Sequence, residues 1–172
     1  YELLGKKGFV FFFGDEMPYP TITRDYSRTH WGGAGHTLKS LTGDDLDEDV
    51  QTAQVFAELQ KKNHVFFLFQ RQGAYQPSEI TPAWEKLIGK ENVIVLDDPD
   101  ASVEAIAALI ARFERGLDGD ATEAAMLAAG GSSSSVGTAL KAIAKVAPAT
   151  GHGGVATVTG SLGTKGGGAD RL

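Results

Sequence analysis

The chain is predicted to be an α/β protein of three layers, with a parallel sheet covered by helices on both faces. Two observations carry that prediction. Apolar runs at 9–13, 64–69 and 93–96 show no alternation of polar with apolar residues. Uninterrupted apolar strands of this length belong in sheets that are buried on both faces. Segments with apolar residues at helical spacing follow each run, so the order from about residue 9 to residue 116 is β–α–β–α–β–α. That alternation implies parallel strands joined by crossovers.

Taken in order, Tyr1-Glu2-Leu3-Leu4-Gly5-Lys6-Lys7-Gly8 reads as the last turn of a helix and its glycine stop. A chain opening in the last turn of a helix is expected to lack upstream residues, any signal peptide included. The strand 9–13 comes next. A long loop, 17–43, then leads to a helix that places Leu46, Val50, Ala53, Phe56, Ala57 and Gln60 on one face. Asp44, Asp45, Asp47, Glu48 and Asp49 load its first turn, and Lys61 and Lys62 its end, the signs that suit a helix dipole. The strand 64–69, headed by His64, follows. Thr81 and Pro82 offer an N-cap and first residue for a short helix through Trp84, Leu87 and Ile88, stopped by Gly89. After the strand 93–96, Asp98-Pro99 opens a helix with Val103, Ile106, Ala107, Ile110 and Phe113 on one face and Gly116 at its stop.

Beyond Gly116 the composition shifts, which divides the chain into an α/β domain, 1–116, and a low-complexity Gly/Ala/Ser-rich region, 117–172. Short helices are possible at 121–129 and 136–146, and a strand at 155–159. Gly130-Gly131-Ser132-Ser133-Ser134-Ser135 has the composition of a linker, and 163–168 that of a disordered end. Such tracts bury too little apolar surface to offset the entropy of ordering, so 130–172 is expected to be mobile and dispensable for the core.

Composition narrows the function. Of the 172 residues, 42% are hydrophobic and 22% charged, the balance of a globular protein. The net charge of −6 argues against a general nucleic-acid binder, which needs clustered Lys and Arg, and is compatible with holding a cation. No cysteine is present, so disulfides and thiolate zinc sites are excluded. No apolar run approaches the ~18 residues of a membrane span, and a cytoplasmic location is expected.

The sharpest local feature is Phe13-Gly14-Asp15-Glu16, at the carboxyl end of the first strand. Ligands of open α/β sheets bind at that edge. A carboxylate there is placed to meet a hard cation such as Mg²⁺, which takes one or two carboxylates with hydroxyls and water. Asp15 is the candidate ligand and Glu16 a weaker one. A solvated loop or turn cap is the plain alternative for both.

The stretch Gly5-Lys6-Lys7-Gly8-Phe9-Val10-Phe11-Phe12-Phe13-Gly14-Asp15-Glu16 resembles the fourth strand of bacterial von Willebrand factor A (vWA) domains and the ion-binding loop after it. The later order agrees: a helix, an apolar strand, Trp84-Glu85-Lys86-Leu87-Ile88-Gly89, the strand 93–96 and the helix to Arg115. The resemblance covers roughly residues 1–116. It implies the carboxy-terminal half of a three-layer, Rossmann-like sheet, a partial domain in which strand 9–13 lies between a missing part and strand 64–69. It also implies a metal-ion-dependent adhesion site, to which Asp15 would contribute. The Asp-x-Ser-x-Ser motif and the Thr that complete that site in the family would lie upstream of Tyr1.

Other residues are weighed against this. Asp25-Tyr26-Ser27-Arg28-Thr29 approximates the missing motif, making Asp25 and Ser27 weaker candidate ligands. No buried strand precedes it, and Pro18 and Pro20 mark a loop, so local backbone bonding is the plainer role. His30 and His36 could pair on a metal but lack a close third donor. Trp31 in that loop and Arg71 at the end of strand 64–69 are candidate partner contacts. Phosphate-loop and nucleophile–base patterns are missing.

The resemblance therefore implies a protein-binding module that presents Mg²⁺ or another divalent cation to a partner's carboxylate once the whole domain is present. A metal-free scaffold and a small α/β enzyme of unknown chemistry are the alternatives. The expected partner is another protein or the missing amino-terminal half, with a homodimer through strand 9–13 possible. Neither nucleic acid nor membrane is expected.

Overall fold

The computed structural model describes residues 5–24, 43, 46–71 and 75–146. In chain order the elements are β1 (Gly8–Gly14), β2 (Thr21–Ile22), β3 (Val50–Gln51), α1 (Thr52–Lys62), β4 (Asn63–Gln70), α2 (Pro77–Ile88), β5 (Val93–Leu96), α3 (Ser102–Arg115), α4 (Gly119–Ala128) and α5 (Ser133–Ala142). The three apolar runs form one parallel sheet in the order β1-β4-β5, within a residue of the predicted bounds. The small pair β2–β3 is antiparallel. No helix among the described residues is long and apolar enough to cross a membrane.

The period of two along each strand sends alternate side chains to opposite faces, which is why each run must be apolar throughout. Phe66, Leu68, Ile94 and Leu96 face α3, α4 and α5, joined by half-buried Phe9 and Phe11. Val65, Phe67, Phe69 and Val93 face Phe56 of α1 and Ile80, Trp84 and Ile88 of α2, joined by Val10 and Phe12. The result is helix, sheet, helix: a three-layer α/β arrangement with a core on each face. Phe66 is fully buried and packs against the rings of Phe11 and Phe113 at 5.5 and 5.6 Å. Truncating Phe66→Ala is expected to cost about 3–5 kcal/mol, as lost transfer energy plus a cavity. A urea melt would show this as a lower midpoint at unchanged slope.

Helix boundaries depart from the sequence reading in ways that have physical causes. α1 begins at Thr52, so the acidic run 44–49 does not fill its first turn. Val50 and Gln51 are instead drawn into the ladder with Ile22 and Thr21, and the Thr52 N–H is taken by the Pro20 carbonyl at 3.1 Å. Ala53 and Ala57 are exposed, while Thr52 and Phe56 are the buried positions. α2 begins a turn earlier than Thr81-Pro82. Gln76 is its N-cap, with Pro77 as first residue and the Glu79 carboxylate accepting from the Gln76 N–H at 2.7 Å, one arm of a capping box. Pro82 therefore lies inside the helix. The carbonyl it leaves without an N–H partner belongs to exposed Ser78, where water can serve it.

The buried stripe of α3 is also turned from its expected position. Val103 is 73% exposed and Ile110 and Ala107 face out, while Ala105, Ala108, Leu109 and Arg112 are buried. The cause is that α3 packs against α5 and α4 as well as the sheet. Small alanines suit a position crowded on two sides. Asp98 accepts from the Asp100 N–H at 3.0 Å and so caps the 3-10 turn Pro99–Ala101 that leads into α3, not α3 itself, which starts at Ser102; Gly116 closes α3 at φ 64°, as expected.

The largest correction concerns 117–146. Met126, Val136, Ala139, Ile143 and Val146 are all part of the α3-side core. Gly130-Gly131 is a tight helix–helix turn, not a linker. Gly130 has φ 96°, and a Cβ on Gly131 would lie 2.8 Å from Val136 Cγ2 and 3.1 Å from the Met126 carbonyl oxygen. Ser132 caps α5 by accepting from the Ser135 N–H at 3.1 Å. The serines are thus helix-start chemistry. Of the region expected to be mobile, 130–146 is packed, and 147–172 lies outside the described residues.

Candidate ligand edge of the sheet

Because all three strands run parallel, their carboxyl ends share one edge, where β1 ends in Gly14-Asp15-Glu16, β4 in Gln70-Arg71 and β5 in Asp97-Asp98. Asp15 is half-buried and its side chain makes no hydrogen bond or ion pair with the described residues. Glu16 is exposed, and its contribution is through the backbone: its carbonyl accepts from the Trp84 indole N–H at 2.9 Å. Arg71 is exposed and lies 3.6 Å from the Asp97 carboxylate, a solvent-facing pair across the ends of β4 and β5. Such pairs contribute little to stability, which leaves Arg71 accessible to a partner. Gln70 donates to Ser102 Oγ at 3.1 Å, tying the end of β4 to the start of α3.

The segment after Asp15 is strapped down. Beyond the Trp84 bond, Thr52 Oγ1 donates to the Tyr19 carbonyl and the Thr52 N–H to the Pro20 carbonyl. The β2–β3 ladder follows, and then the Arg24 N–H donates to Asp49 Oδ1 at 2.9 Å. The acids before α1 thus serve this strap in part, which the helix-dipole reading missed. Trp84 was legible only as an apolar helix position. The signal available was that a buried indole needs an acceptor for its N–H. Asp25, Ser27, His30, Trp31 and His36 lie outside the described residues.

A divalent cation at this edge would need oxygen donors converging on one point. Among the described residues, no group of three or more His, Cys, Asp or Glu side chains could hold a metal ion. Asp15 therefore offers a single well-placed carboxylate, and the described residues do not by themselves make a closed metal site. No protein-family model, curated protein or solved structure matches the chain.

Proposed function

We propose that this chain is part of a protein-binding module of the vWA type, whose ligand edge is the carboxyl end of the sheet around Asp15. The observation that carries the reading is the placement of Asp15. It is a half-buried carboxylate with no side-chain partner among the described residues, at the end of a strand that has no described strand on its far side. In this reading Asp15 supplies one oxygen ligand to Mg²⁺ or a similar ion. The remaining donors come from outside the described residues. The ion then bridges to a carboxylate of the partner, with Arg71 and Trp31 as flanking contacts.

The test is calorimetry with Mn²⁺ on the 172-residue chain. Asp15→Ala is expected to leave the fold intact, because the side chain bonds to nothing described, and to weaken the ion about tenfold or more, roughly 1.4 kcal/mol. Equal affinity in the variant would remove Asp15 from the site and leave a metal-free scaffold that binds through its sheet edge.

A further inference from the structure

We infer that Trp84 is a positioning residue for the Asp15 loop, so that the ligand edge is preformed and not ordered by its ligand. The inference rests on the reading of Asp15 given above. Trp84 lies on α2, far along the chain from Asp15, and is 8% exposed. Its ring stacks on Phe67 of β4 with centroids 4.1 Å apart and planes at 7°. Phe12 of β1 lies at 5.8 Å and Phe56 of α1 at 5.7 Å, nearly perpendicular. Aromatic neighbours from three elements leave the indole little room to swing. Its single donor therefore points in a set direction, and what it meets is the carbonyl of the residue after Asp15.

A buried indole could satisfy its N–H on many acceptors. This one uses the first turn beyond β1, where Gly14 would otherwise let the chain pivot. Three or four residues later the Thr52 side chain and backbone hold the carbonyls of Tyr19 and Pro20. Asp15 stands between Gly14, paired with Phe69 in the ladder, and Glu16, tied to Trp84, so its backbone has few alternatives and presents the side chain at the edge before any ion arrives. Preorganisation of this kind removes the ordering cost that a flexible ligand loop adds to binding.

If Trp84 only filled the core, any substitution that kept an aromatic ring there would be silent at the loop. Trp84→Phe keeps a ring for the stack and deletes the donor. Phe67→Leu disturbs the stack and keeps the donor. Backbone ¹⁵N order parameters and Mn²⁺ affinity, both on the 172-residue chain, separate the two roles. In the wild type, order parameters at Asp15, Glu16 and Met17 are expected near the rigid value of ~0.85 with or without the ion, falling below ~0.6 in Trp84→Phe while β4 and β5 stay rigid. Mn²⁺ affinity should fall several-fold with them. Phe67→Leu should lower the urea midpoint without freeing the loop.

A loop that stays rigid in Trp84→Phe, or order lost equally across the sheet, would overturn the inference. So would a wild-type loop that becomes rigid only when the ion is added. A freed loop with unchanged Mn²⁺ affinity would also overturn it if Asp15→Ala does weaken the ion. If neither variant changes affinity, a freed loop still upholds the anchoring by Trp84, and it is the assignment of Asp15 as a ligand that fails.

Discussion

A chain that stops at Gly116 is expected to lose its cooperative unfolding transition. The residues removed include Met126, Val136, Ile143 and Val146, each nearly or fully buried against the sheet and α3. Burying a side chain of that size contributes about 1.5–3 kcal/mol, so four of them account for roughly 6–12 kcal/mol. That is comparable with the ~5–15 kcal/mol by which whole domains are stable. The cut also bares Ile94, Leu96 and Leu109, which are fully buried. It further removes the Ile143 carbonyl that accepts from Arg112 Nη1 at 3.0 Å, leaving a guanidinium whose Nε already lacks a partner. A chain ending at Val146 should keep the wild-type urea midpoint, because every described core contact survives. Equal midpoints for chains ending at 116 and 146 would show that α4 and α5 only decorate the fold.

That prediction reverses the sequence reading, and the reason is instructive. Gly130-Gly131 and the four serines after it have a linker's composition, yet the same residues are what a close helix–helix turn and an N-cap require. Composition does not distinguish a flexible glycine from Gly131, on which a Cβ would lie 2.8 Å from Val136 Cγ2. The strands were legible because burial on both faces leaves an unbroken apolar run, a signal that no local alternative imitates. The face of α3 was not legible, because hydropathy ranks Val103 and Ile110 above alanine. Contact with α5 as well as the sheet selects Ala105 and Ala108 instead. The place of Asp15 after an apolar strand was legible, whereas its role as a ligand is a proposal. What fixes its loop was not legible, since the ties from Trp84 and Thr52 span dozens of residues and leave no periodic trace.

The two sides of the sheet are unlike. β1 and β5 are both outer strands that pair with β4 and with no described strand beyond, but α5 packs against β5 and the turn Pro99–Ala101. β1 reads Gly-Phe-Val-Phe-Phe-Phe-Gly, with neither charge nor proline. None of its residues is classed as fully buried, and Phe13 is 44% exposed. Open edges of this kind template pairing, and natural proteins blunt them with charges, bulges or covers. Leaving even about 400 Å² of apolar surface wet forfeits roughly 10 kcal/mol. Pairing β1 with the same strand of a second copy would recover this energy.

Light scattering on the isolated 172-residue chain tests this most directly. The account predicts dimers or larger species through β1. A 172-residue chain that stays monomeric at every concentration would contradict it, because β1 would then need no partner.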